Sequence, residues 1–370
     1  MKSKYSNILF FGLILVGLFM ISCEDRNDDD VDGSLDDGEQ TEFIELLSNQ
    51  VSSVIIPTMN NYASAMEVLS TSCATFRNES TQTNLGVLID AYRNAYLKYQ
   101  AAAVHNYYAT ANQGLVMSTN LYPLDTEMLN GFISERAYDF NTTAQQRANG
   151  FPVMDFMFFG SENTLEYLTS DAERINFLTS LIASMFDRAT ILAEQWNGDL
   201  RENFINNGGT GLGSSISVQL NDHLLYFEEH IRENKVGIPI GRLGPNDDLI
   251  TPDGKKIEAY YQSVAAGNDA FSLSLLRAAI EEVEDLYLGS SDADPNGQGY
   301  DDLVNEFSDP TIDQDIKNQF NLIYETIDGR SSISGDDTLY NAIQEIVTLY
   351  KSELLPVLNV QDADGANDGD

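Results

Sequence analysis

Residues 175–198 read INFLTSLIASMFDRATILAEQWNG. Ile175, Leu178, Leu181, Ile182, Met185, Leu192 and Trp196 keep to helical steps, so one face of an α-helix is apolar, and Asn197-Gly198 supplies a helix stop. The same periodicity runs outward in both directions. Phe43, Leu46, Leu47, Val51, Val54 and Ile55 continue through Met59, Tyr62, Met66 and Leu69, with a bend predicted at Pro57. Leu85, Leu88, Ile89, Tyr92, Tyr96 and Tyr99 form a second stripe. Past residue 214, further stripes begin at Ile216, Phe271, Ile312 and Leu339. No comparable run alternates with period two. The spacing predicts an all-α protein of two helical-bundle domains, 41–200 and 201–360, joined near residues 197–214 where Gly and Asn cluster. No internal repeat is visible, so any duplication behind the two bundles is ancient.

The ends of the chain read differently. Residues 1–22 resemble an export signal: Lys2 and Lys4 precede a short apolar run, residues 8–21, too short to span a bilayer comfortably. Ser22 before Cys23 resembles the lipidation site of bacterial lipoproteins, although Met20 stands where Leu is usual. Cys23 is then the lipid-bearing N-terminus and the protein's link to a membrane. Residues 23–40 form an acidic tether, and residues 361–370 an acidic tail. Cys73 is the only other cysteine, so stability must come from a core and not from a disulfide. Loss of the signal removes two of 20 basic residues and none of the 58 acidic ones, which brings the formal charge near −40. Such a surface repels nucleic acid and attracts cations and basic partners.

Five segments, taken in order, resemble the imelysin-like proteins, in particular the lipoproteins of this kind from Bacteroidetes. They are IIPTMNNYASAMEVL in the first long stripe, YPLD at 122–125, GFPVMDFMFFG at 150–160, KVGIPIGR at 235–242, and IEAYYQSVAAGNDAFSLSLL at 257–276. The resemblance implies an all-helical envelope protein of two bundles, connected with iron uptake, in a group whose founding member was described as a metallopeptidase. Its hallmark, GxHxxE, faces a cleft between the bundles. Here the glycine matches Gly150, the histidine position holds Pro152, and the glutamate position holds Asp155. Proline offers neither a metal ligand nor a proton, so catalysis loses half its constellation.

The resemblance therefore implies a binding cleft lined by Tyr122, Asp125, Gly150, Phe151, Pro152 and Asp155, with iron, another divalent metal or a metal-containing compound as ligand. It also implies an outer-membrane uptake partner and a lipid-anchored position on the outer membrane, on its periplasmic face or at the cell surface. Two alternatives remain: a metallopeptidase with an altered active site, and a scaffold that binds a basic protein through its acidic surface.

The residues also admit plainer roles. Pro152 suits the first turn of a helix, and Asp155 in that turn would meet the positive end of the helix dipole. Asp125 fits an N-cap. His230-Ile231-Arg232-Glu233 spells HxxE but is expected at an exposed helix end. Asp292, Asp294 and Asn296 have the spacing of a calcium loop, yet Leu303 stands where its bidentate glutamate belongs.

Overall fold

The computed structural model describes residues 37–105, 107, 118–140, 143–242, 256–291 and 294–362. Cys23, most of the acidic tether and tail, and Asp292 lie outside them. The described chain belongs to one compact unit running from Asp36 to Asp370. It is helical throughout, and among the described residues no strand forms.

The N-terminal half contains α1 (Asp37–Asn49), α2 (Ile56–Asn78), α3 (Gln82–Val104), α4 (Thr126–Glu135), α5 (Gly150–Phe159), α6 (Thr164–Thr169) and α7 (Ala172–Asn197). It is followed by α8 (Asp199–Asn206), α9 (Ser215–Tyr226), α10 (Tyr260–Ala266), α11 (Ala270–Leu288), α12 (Tyr300–Phe307), α13 (Pro310–Asp328), α14 (Thr338–Leu349) and α15 (Leu355–Val357). The long helices α2, α3 and α7 pack together, α3 also lies along α11, and α13 packs on α14.

The apolar stripes explain this packing. Every position named in the first stripe, from Phe43 to Leu69, is buried, as are Leu178, Leu181, Ile182, Met185, Leu192 and Trp196 of α7. Tyr62, Tyr92, Tyr96 and Tyr99 are also buried: Tyr62 of α2 meets Tyr99 of α3, while Tyr92 and Tyr96 face Phe151 of α5 and Phe271 of α11. Local signals set the helix ends. Thr81, Asp125, Asn163, Asp171 and Ser214 each cap the helix that follows through a side-chain oxygen.

At Pro57, where the sequence predicts a bend, the turns ahead of the proline are widened. The chain is π-helical across Gln50–Ile55, directly ahead of the proline in the first turn of α2. A second π-helical stretch, Tyr350–Leu354, precedes Pro356 in the same way. Proline has no N–H for the i→i−4 ladder, and widening the preceding turns accommodates that missing bond. A third stretch, Phe227–Gly237, extends α9, so KVGIPIGR starts in the last turn of a helix and continues into the turn that follows, with Pro239 and Gly241.

That extension positions Lys235. Its ammonium is buried and pairs with the buried carboxylate of Glu258, in the turn before α10. Gln100 of α3 donates to Glu258 Oε1 at 2.7 Å and accepts from Lys235 Nζ at 2.7 Å. Asn120 donates to the same Glu258 oxygen at 2.5 Å and accepts from Tyr96 Oη at 2.5 Å. The cluster ties both halves of the chain together. Removing one member of such a pair strands the other charge in the core. Lys235→Met is therefore expected to destabilise the fold by roughly 3–5 kcal/mol, read as a lowered urea midpoint with an unchanged slope.

Candidate functional site

Helix α5 opens at Gly150, whose φ is +74°, a region that side-chain-bearing residues rarely adopt. A Cβ there would lie 1.9 Å from the carbonyl oxygen of Thr119. The glycine of the signature is thus demanded twice, by backbone conformation and by close approach of the chain. Asn149, itself buried, accepts from Gly150 N at 2.8 Å and donates to Phe140 O at 3.2 Å, which anchors the start of the helix. Pro152 occupies the third helical position, where its missing N–H leaves no bond unmade. Phe151 turns into the core and stacks on Tyr96, with ring centroids 4.2 Å apart and planes within 5°.

Asp155 is the sixth residue of α5, so the first-turn position expected from the sequence is corrected. The helix end it meets is that of α10. Its Oδ2 accepts from Tyr261 N at 2.7 Å and its Oδ1 from Gln262 N at 3.1 Å. Ala259, at the N-cap of α10, has a left-handed backbone (φ +53°) and no side-chain cap to offer. Asp155 fills that role from more than a hundred residues away in sequence, and its charge complements the positive end of α10. Arg93 of α3 donates through Nε to Gln262 Oε1 at 3.1 Å, fastening the same short helix from the other side.

Burial of the Asp155 carboxyl disfavours its charge and raises its pKa from 3.8 to about 7, against the opposing pull of the two backbone N–H groups. Glu258 raises it further, and the Tyr92 phenol beside it lowers it. Burial together with Asp155 and Glu258 pushes the Tyr92 phenol well above its ordinary value. Tyr96 of α3 and Tyr261 of α10 also titrate upward, by burial first and Asp155 among the later causes.

A cleft of about 170 Å³ opens over this carboxylate, lined by Tyr122, Pro123, Leu124, Thr126, Pro152, Asp155, Ile257, Ala259, Tyr260 and Tyr261. Three segments singled out in the sequence, YPLD, GFPVMD and IEAYY, converge here. Tyr122, Pro152 and Asp155 line the cleft as expected. Gly150, Phe151 and Asp125 do not: the first two support it from behind, and Asp125 is the N-cap of α4, accepting from Met128 N at 2.9 Å. Ile257, Tyr260 and Tyr261 complete the wall. Their signal in the sequence was the IEAYYQ segment, but nothing in it showed which side chains face the opening.

The cleft's donor set does not fit a tightly bound metal. It has one carboxylate, already engaged by two N–H groups, and proline at the histidine position. Among the described residues, no three His, Cys, Asp or Glu side chains converge as metal ligands. The histidines lie elsewhere. His105 is buried, with Nε2 2.5 Å from Glu282 Oε1, and stacks on His223 at 6.2 Å. Burial, and then His105, lowers His223 to about 3, which keeps it neutral. His230 is half-buried against Tyr226 and not at an exposed helix end, and burial lowers it to about 4. In the calcium-like loop, Asp294 Oδ2 accepts from Ser53 Oγ at 3.0 Å, and Asn296 is exposed.

The family model of Imelysin, a peptidase family by name, matches residues 55–348, and the chain belongs to that family. An iron-regulated protein A precursor (so named) from Parabacteroides distasonis ATCC 8503 has a similar structure, with a TM-score of 0.72 at 17% identity, covering 86% of this chain and 95% of that one. An imelysin-like protein from Psychrobacter arcticum 273-4 matches with a TM-score of 0.59 at 16% identity, covering 88% and 98%. No match was found among curated proteins.

Two expectations test the site. Gly150→Ala should destabilise the protein by roughly 2 kcal/mol or more, because strain and collision act together; calorimetric melting reads this directly. The second concerns linkage. The folded state raises Asp155 from 3.8 to about 7, so it binds this proton more tightly than the unfolded chain. The resulting stabilisation is complete below about pH 4 and is lost as pH rises through about 7. Relative to Asp155→Asn, the wild type should lose on the order of 1–4 kcal/mol across that window and then level off. Urea midpoints that run parallel for the two proteins from pH 4 to pH 8 would refute this.

Proposed function

We propose that the protein is a non-catalytic binding lipoprotein of the bacterial envelope, anchored through lipid on Cys23 to the outer membrane and acting in the uptake of iron. The cleft between α5, α10 and the YPLD segment is its recognition site. The observation that carries the non-catalytic reading is the pairing at the signature: Pro152 sits on the cleft wall where a histidine would act, while both oxygens of Asp155 hold α10. Family membership and the iron-regulated neighbour support the connection with iron. The word precursor in that neighbour's name, together with the apolar segment at residues 8–21, supports export. Among the described residues no helix is long and apolar enough to cross a membrane. Because the cleft lacks a metal donor set, its ligand is a metal-containing or organic compound and not a bare ion.

Elemental analysis tests this. The purified protein, exposed in turn to iron, zinc and calcium without chelator and then desalted, should retain no near-stoichiometric metal that depends on Asp155. A metal held by the wild type and lost in Asp155→Ala, together with chelator-sensitive peptide hydrolysis, would replace this reading by a metallopeptidase. Salt-sensitive capture of a basic protein with no need of the cleft would replace it by a scaffold. Labelling with a fatty-acid analogue should mark the wild type and spare Cys23→Ser.

A further inference from the structure

The walls of the cleft have a chemistry of their own. Tyr122, Tyr260 and Tyr261 supply three aromatic rings to its lining, and Tyr260 and Tyr261 stand edge to face at 5.0 Å and 79°. Phe156 backs Tyr261 at 4.9 Å. Leu124 and Ile257 are apolar, and among the lining residues none carries a positive charge. The floor is Asp155, buried to 2% exposure. Two backbone N–H groups occupy one acceptor site on each of its oxygens, and a carboxylate has about four such sites. Glu258 adds a second buried acid to the region. Of the basic groups on neighbouring elements, Lys235 is engaged by Glu258 and Gln100, and Arg93 by Gln262 and Asp90.

We propose that the cleft is an aromatic cage for a small organic cation of the alkyl- or quaternary-ammonium class, with the three tyrosines as walls and the Asp155 carboxylate as counter-ion. This rests on the reading of the cleft as a recognition site and names its ligand class. Electron-rich ring faces attract a soft, weakly hydrated cation, and do so most strongly where water is excluded. An anion would face two buried acids, and among the described residues that line the cleft no cation. A neutral apolar guest would leave the carboxylate desolvated with no compensation. A bare metal ion lacks its ligands, as shown above. The strongly acidic surface, −38 for the whole chain, raises the local concentration of cations around the opening.

The test is titration calorimetry of the purified protein with choline and with its neutral carbon isostere, 3,3-dimethylbutan-1-ol. Choline should bind at least about tenfold more tightly. Tyr261→Leu should weaken choline by about tenfold while Tyr261→Phe leaves it nearly unchanged, because the ring and not the hydroxyl does the binding. Asp155→Asn removes the charge and one of the two caps of α10, and should weaken choline by a larger factor than it weakens the isostere. Choline affinity should also rise from pH 6 to pH 8 as Asp155 ionises among Tyr92, Tyr96, Tyr261 and Glu258. Sedimentation with phosphatidylcholine vesicles separates a lipid headgroup from a free ammonium compound as the source of the cation. Equal affinity for choline and the isostere, lost in Tyr261→Leu, would overturn the cation cage and leave the recognition site standing. Absence of choline binding in a folded wild type would overturn the cage outright. Chelator-sensitive hydrolysis would instead remove the recognition reading beneath it.

Discussion

Two hydrogen bonds, from Tyr261 N and Gln262 N to the carboxylate of Asp155, hold the candidate site together. Helix α10 has only seven residues, too few to persist on its own in water. Its N-cap is an alanine in a left-handed conformation, so the helix brings no side chain to close its first turn. The cap comes instead from α5, an element of the other half of the chain. Placing the wall of the cleft therefore requires α5 to present Asp155 at one height and angle. The signature glycine meets that requirement by letting α5 start against Thr119, where no Cβ fits.

The second constraint lies behind the first. Lys235, Glu258, Gln100, Asn120 and Tyr96 form a buried polar cluster joining α3, the extended α9 and the approach to α10. Burying such groups is unfavourable unless each is paired, and here each charge meets a counter-charge and an amide. The pairing also fixes register, because a shift of one residue in any of these elements would strand a charge in the core. Glu258 then reaches Asp155 through space and helps to keep its carboxyl above the ordinary range. The cap and the cluster thus act as one electrostatic unit, and the cleft lies on its surface.

Much of this fold was legible in the sequence. Helical stripes such as Phe43–Leu69 report burial through spacing alone, and the structure buries every residue named there. The convergence of YPLD, GFPVMD and IEAYY was legible only as a resemblance of ordered motifs. What periodicity could not show was how side chains are used across long sequence separations. Asp155 reads locally as a dipole-favoured residue of its own helix, and nothing near it in the sequence reveals that the dipole belongs to α10. Lys235 reads as a helix-end cation, because the π-helical turns that carry it inward have no strong sequence signal beyond a proline two residues past their end, here Pro239. The resemblance implies Phe151 and Asp125 at the cleft; Phe151 instead stacks on Tyr96, and Asp125 caps α4, the role its own sequence context also offers.

The structure holds positions 152 and 155 of α5 in different ways. A histidine at position 152 would face the cleft and serve whatever chemistry takes place in it, and that position sits where a helix tolerates proline without losing a bond. Nothing in the backbone opposes its replacement. The acidic position is different, because its carboxylate closes the first turn of α10 and so determines where the tyrosine wall stands. Removing it would withdraw both the cap and the negative floor of the cleft. With proline at 152 and the carboxylate at 155, this chain has a shaped, aromatic, acidic pocket.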